Sequence, residues 1–287
     1  MVAGKLSVYE AELFYQKIGS GAPIVVVHGG PGLDHTYLRR WFDPLTETHQ
    51  VVLYDQRGLG GSRALLSMAS ISMSRYLTDL DRIRERVAQR ERIIVLAHAW
   101  GAIPTLLYAL QVPDRVEAIV LVSPVEPGSR FLAQTNERQA AKRDPADQRA
   151  IDSLRASPEF RANDVETMNQ LFFHVFRGTF ADPAVADSLL TVDLQQRTVE
   201  QGQEVARLLM APVEGLDFWD ELEELQVPVL IVHGDSDPIP VEMVEALNET
   251  LPQSDLVVLE NTGHFPFIEN RVKFFSAVRQ FLAELNP

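Results

Sequence analysis

Apolar positions along the chain fall into two alternating rhythms. Short continuous runs at Pro23–Val27, Gln50–Tyr54, Arg92–Leu96, Val116–Val122, Val227–Val232 and Ser254–Glu260 are rich in β-branched residues and read as strands, the central ones buried on both faces. Between them, Ser72–Gln89, Ile103–Gln111 and Arg271–Glu284 read as amphipathic helices. Leu6–Ile18 alternates as a β-hairpin would, and Gly19-Ser20-Gly21 closes it in a turn. Strands alternating with helices predict an α/β fold: a mostly parallel sheet covered by helices on both faces. The rhythm breaks from Val125 to Pro212, where only helical patterns rich in Arg, Gln, Asp and Ala occur. An inserted helical cap is expected there (125–212), dividing the core into 1–124 and 213–287.

The most informative boundary is Val95-Leu96-Ala97-His98-Ala99-Trp100-Gly101-Ala102, where a strand turns into a helix through small residues. That is the setting of the nucleophile elbow, usually G-x-S-x-G, which exposes a serine at the head of a strand. Here Ala99 holds the central position and Ala97 replaces the first glycine. A methyl group cannot attack a carbonyl.

Composition narrows the field without deciding it. The 287 residues are 46% hydrophobic and 23% charged, as in an ordinary globular protein. The net charge of −14 disfavours nucleic acid and anionic membranes as partners. No apolar stretch reaches the about 18 residues of a membrane span, and Met1–Lys5 shows no secretory h-region. Zero cysteines rule out disulfides and thiolate metal sites. A cytoplasmic protein is expected, with no metal and no cofactor.

Catalytic groups in open parallel sheets gather at the carboxyl ends of strands. Four clusters fall there: His28-Gly29-Gly30-Pro31-Gly32, the elbow at Ala99, the pair Asp235/Asp237, and Asn261-Thr262-Gly263-His264. With Asp55-Gln56-Arg57-Gly58, Trp100-Gly101 and Gly263-His264-Phe265-Pro266, the set resembles the proline iminopeptidase branch of the α/β-hydrolases. The resemblance spans roughly Leu6–Pro124 and Val227–Leu285; the cap matches only in position and helical character.

His264, after the last strand, is placed to act as general base near neutral pH. His35, His49 and His174 read as surface or capping histidines. The resemblance puts the orienting acid three residues after Gly234, at Asp237, and leaves Asp235 to cap the turn. It also implies an oxyanion hole from the backbone N–H groups of Gly30 and Trp100. Asp55-Gln56-Arg57-Gly58 reads as a brace between loops. In this branch, cap carboxylates recognise a substrate amine; Glu200 and Glu204 lie one helical turn apart, although a solvated acidic face explains them as well. Phe172, Phe173, Phe176 and Phe180 offer an apolar pocket or, more simply, cap-to-core packing.

Ala99 admits three readings. In the first, the active parent carries serine and this chain is its inactive alanine variant, which accounts for the acid, base and loop around an inert position. In the second the parent carries aspartate, as in epoxide hydrolases and haloalkane dehalogenases. Their cap donors are Tyr or Trp, and Val125–Pro212 contains neither. In the third the alanine is natural, and the protein binds a small ligand or uses His264 and Asp237 alone. The first is the reading carried forward: acyl transfer from a small ester, lactone or amide, including an N-terminal peptide, to water. The partner expected is a small molecule or short peptide.

Overall fold

The computed structural model describes residues 1–211 and 215–285. Among these residues nine strands form one sheet: β1 (Val2–Val8), β2 (Ala11–Ile18), β3 (Ala22–Val27), β4 (His49–Tyr54), β5 (Arg63–Ala64), β6 (Ile93–His98), β7 (Val116–Val122), β8 (Val229–Gly234) and β9 (Ser254–Leu259). The order is β1-β2-β4-β3-β6-β7-β8-β9, with the two-residue β5 paired to β2. The β1–β2 hairpin and the β2–β4 and β2–β5 contacts are antiparallel, and the pairings along β4-β3-β6-β7-β8-β9 are all parallel. The hairpin begins at Val2, four residues before the alternation becomes visible, because β1 is an edge strand with mostly exposed side chains.

The continuous apolar runs supply both faces of the sheet. Val25, Val27, Val95, Ala97, Leu121 and Ile231 pack on one side with helices Met73–Arg82, Ala102–Gln111 and Val241–Thr250. Their neighbours Ile24, Val26, Ile94, Leu96, Val120 and Val232 pack on the other, against Arg271–Glu284. Period-two alternation within an all-apolar strand does this without any polar residue. The expected helix over 72–89 is α-helical at Met73–Arg82 and then widens into a π turn at Ile83–Ala88, ended by Gln89 at φ +55°.

Between β7 and β8 the described residues are helical from Leu132 to Met210, in six segments. Pro212, the expected end of the cap, lies outside the described residues. Helix Gln196–Met210 presses directly on the loop after β3. A Cβ on Gly202 would lie 2.4 Å from the Gly32 carbonyl oxygen, and a Cβ on Gly32 would lie 2.4 Å from that of Gly202. Gly202→Ala therefore forces helix and loop apart and is expected to cost about 1–3 kcal/mol in urea denaturation, as overpacking does. An unchanged midpoint would show that this contact yields freely.

Candidate active site

Strand β6 delivers its last residue, His98, in extended conformation, and the chain reverses at Ala99 with φ +50°. A short 3₁₀ turn, Ala99–Gly101, then leads into helix Ala102–Gln111. Backbone held in the left-handed region by a non-glycine residue costs on the order of 1–3 kcal/mol and persists only where its surroundings impose it. They do so here through close packing: a Cβ on Gly101 would meet the Val27 carbonyl oxygen at 2.4 Å. The elbow is fully formed around a methyl group.

His264 and Asp237 are brought together from the ends of β9 and β8. The Nδ1–H of His264 donates to Asp237 Oδ2 at 2.8 Å, and Ile239 N–H donates to Asp237 Oδ1 at 2.9 Å. Asp237 is fully buried, whereas the His264 side chain is 17% exposed. Burial alone would raise the Asp237 carboxyl; the facing charge of His264 and then of His233, with these hydrogen bonds, brings it down to about 2. Burial opposes the His264 cation, but the Asp237 charge and hydrogen bond outweigh it and raise the imidazole above its ordinary 6.5. Asp235 instead caps the turn, accepting from Thr262 N–H at 3.3 Å and Ser236 Oγ–H at 2.9 Å.

The loop after β3 lies beside the elbow. Gly30 adopts φ +62°, and its N–H donates to no group among the described residues. A Cβ on its neighbour Gly29 would lie 3.1 Å from the Ala99 Cβ. Trp100 follows Ala99 and is 5% exposed. Asp55-Gln56-Arg57 braces these loops: Asp55 Oδ1 accepts from His35 Nδ1 at 2.6 Å, Gln56 Nε2 donates to the His28 carbonyl at 2.9 Å, and Arg57 pairs with Asp79. His35 is thus buried and not on the surface; it stands at the N-cap position of the turn Thr36–Arg39, but its side chain makes no capping bond there. His174, 30% exposed in its side chain, pairs with Asp147, and His49 hydrogen-bonds Thr48.

A cavity of about 710 Å³ adjoins the elbow through Trp100, Pro31 and Val125. Its walls are mainly apolar, among them Ile103, Leu132 and Phe218, and among the described residues its charged lining is Glu126 and Arg207. Burial pushes the Glu126 carboxyl up, against its hydrogen bond from Phe131 N–H.

The expected pocket residues lie elsewhere. Phe176 packs edge-on against Phe265 at 5.5 Å between ring centres, Phe180 stacks on Phe265 at 5.1 Å, Phe172 leans on Phe176, and Phe173 meets His174. Phe172 and Phe176 pack the helix Val165–Arg177 onto the core, whereas the Phe173 ring meets only His174 of its own helix among the aromatic contacts of the described residues. Glu204 is 44% exposed in its side chain and paired with Arg207 at 2.7 Å; Glu200 is exposed and accepts from Gln196. Neither carboxylate lines the cavity.

Comparison with known proteins settles the family. The family model for the alpha/beta hydrolase fold matches residues 22–271. This chain belongs to the α/β-hydrolases. It is similar to the proline iminopeptidase of Lactiplantibacillus plantarum, 24% identical over 286 residues covering 95% of this chain and 97% of the relative. The proline iminopeptidase of Saccharolobus solfataricus is 22% identical over 94% of this chain and 88% of its own length. Among solved structures, the thermophilic esterase of Thermogutta terrifontis superposes with a TM-score of 0.73 at 23% identity over the full length of both chains. The proline iminopeptidase of Mycobacterium smegmatis gives 0.74 at 18% identity, over 99% of this chain and 98% of that one. At these identities the structural matches establish the fold alone.

Two groups around this α/β-hydrolase site escaped the reading of its residues. Tyr37 and Glu269 reach it only through the fold. Glu269 accepts from Ala181, Gly263 and Phe265 N–H at 2.7, 3.0 and 3.1 Å, tying the His264 loop to the helical segment. Neither sits in a motif, and no spacing in the chain points to them. No helix among the described residues is long and apolar enough to cross a membrane.

Proposed function

We propose that this chain is the alanine form of a serine hydrolase that transfers an acyl group from a small ester, lactone or amide to water. The observation that carries the proposal is the 2.8 Å His264–Asp237 hydrogen bond, kept beside an elbow held at φ +50°. With serine at position 99, the hydroxyl attacks the substrate carbonyl and its proton passes to His264 Nε2. Asp237 holds the imidazolium, and the N–H groups of Gly30 and Trp100 receive the tetrahedral oxyanion. The intermediate collapses, and the leaving group takes the proton from His264. Water then attacks the acyl-enzyme, again giving its proton to His264, and the carboxylic acid departs.

The mainly apolar cavity favours a neutral, apolar acyl group. Amine recognition by Glu204 would require breaking its pair with Arg207, which supports an ester or lactone over an N-terminal peptide. A p-nitrophenyl ester and a proline arylamide, offered side by side to Ala99→Ser, test this. The ester is expected to turn over faster; a preference for the arylamide would favour the aminopeptidase alternative. The alanine also suits a natural ligand-binding pseudoenzyme, since the cavity is complete without a nucleophile. Tight ligand binding with a silent Ala99→Ser across ester, lactone and amide panels would favour that reading.

The pH profile carries a sign. His264 works as a base only when neutral, and its pKa is raised above 6.5. The kcat/KM of Ala99→Ser is thus expected to rise with pH, with a midpoint above that value. A profile flat from pH 5 to 9 would remove His264 from the role.

A further inference from the structure

One side-chain pair links the loop, the elbow and the base. Gly29 N–H lies 2.7 Å from Tyr37 Oη, Tyr37 Oη lies 2.9 Å from His98 Nδ1, and His98 Nε2 lies 2.9 Å from the His264 carbonyl oxygen. Each end permits only one polarity. An amide N–H can only donate and a carbonyl can only accept. His98 must therefore carry its proton on Nε2 and accept on Nδ1, with the Tyr37 hydroxyl donating to it while accepting from Gly29. A protonated His98 would donate from Nδ1 as well and so take away the acceptor of the buried Tyr37 hydroxyl proton. That form is suppressed, because burial and then the neighbouring His264 push His98 down to about 3.

Both side chains of the pair are shielded from water: Tyr37 is 5% exposed and His98 2%. Buried polar groups with one consistent set of partners fix geometry, since breaking any link leaves a desolvated group unpaired. His98 directly precedes Ala99, so the pair sits on the elbow itself. The rings of His98 and His264 lie 5.0 Å apart, and Phe265 and Phe267 enclose His98 at 5.4 and 5.2 Å.

We propose that Tyr37 and His98 are positioning residues that set the oxyanion loop and the His264 loop at a fixed separation around position 99. Neither touches the reacting atoms. Tyr37 holds the loop through Gly29, the neighbour of the oxyanion donor Gly30, and His98 holds the base through its carbonyl. The kinetic side of this inference rests on the acyl-transfer reading; the structural side does not.

Two measurements separate them. In the chain as it stands, the Nδ1 proton shared by His264 and Asp237 should give a downfield NMR signal, identified by its loss in Asp237→Asn. Tyr37→Phe, which removes one oxygen and keeps the ring, is expected to speed exchange of that proton with water by at least about tenfold. In the Ala99→Ser background, Tyr37→Phe is expected to lower kcat by about ten- to a hundredfold with KM nearly unchanged. His98→Leu should do the same, and the double variant should lose no more than the worse single one, because both break one chain. Unchanged proton exchange in Tyr37→Phe would overturn the proposal, whatever happens to thermal stability. So would an active Ala99→Ser whose kcat ignores Tyr37→Phe. Should Ala99→Ser be silent on every substrate, the exchange measurement alone decides.

Discussion

Asp237→Asn, introduced beside Ala99→Ser, is expected to lower kcat by about four orders of magnitude while leaving the fold intact. The asparagine is nearly the same size, and Ile239 N–H can still donate to its carbonyl oxygen in the place of Oδ1. Its amide nitrogen, however, takes the position of Oδ2 and faces His264 Nδ1 as a donor. The imidazole then accepts on Nδ1 and carries its proton on Nε2, where it can no longer take one from a nucleophile. The imidazolium also loses the buried carboxylate that stabilises it. Asp235→Asn is the control, because Asp235 only caps a turn; its effect on kcat should stay within a few-fold. Steady-state kinetics on the two variants decides between the carboxylates, and a loss under tenfold for Asp237→Asn would deny it the orienting role.

The largest stability loss is expected from Asp79→Ala, at about 3–5 kcal/mol in chemical denaturation. Arg57 is almost wholly buried, with Nε donating to Asp79 Oδ2 at 2.6 Å and Nη2 to Oδ1 at 2.6 Å. Nη1 also donates to the Ser70 carbonyl at 3.1 Å. Removing the carboxylate strands a guanidinium that has nowhere to reach water. The intact pair is itself no great source of stability: burial pushes the Asp79 carboxyl up despite the facing Arg57. Arg57→Met with Asp79→Leu should therefore recover most of the loss. A single Asp79→Ala variant as stable as its parent would show that Arg57 finds another partner.

The sheet was legible because each central strand is a short apolar run bounded by polar residues, a pattern that only burial on both faces explains. Ala99, Asp237 and His264 were legible for a related reason. They sit at strand ends, where a parallel sheet collects its functional groups; position alone left Asp235 and Asp237 as rivals, the resemblance chose Asp237, and His264 Nδ1 lies 2.8 Å from Asp237 Oδ2. The substrate side was not. An apolar stripe such as Phe172, Phe173 and Phe176 looks the same whether it faces a ligand or a core, and here Phe176 packs on Phe265 with Phe172 against it. A carboxylate on a helix does not reveal its partner, and Glu204 had Arg207 three residues away. His98 and Tyr37 are 61 positions apart, and only the adjacency of β3 and β6 brings them together.

The most direct test of the central claim needs no knowledge of the substrate. A fluorophosphonate reacts with a serine only where a base, an oxyanion hole and an exposed hydroxyl are assembled together. Ala99→Ser is expected to take up one phosphonyl group, located by mass spectrometry on the introduced serine, while the parent chain and Ala99→Ser with His264→Ala take up none. An unlabelled Ala99→Ser, folded and with its cavity intact, would contradict the account.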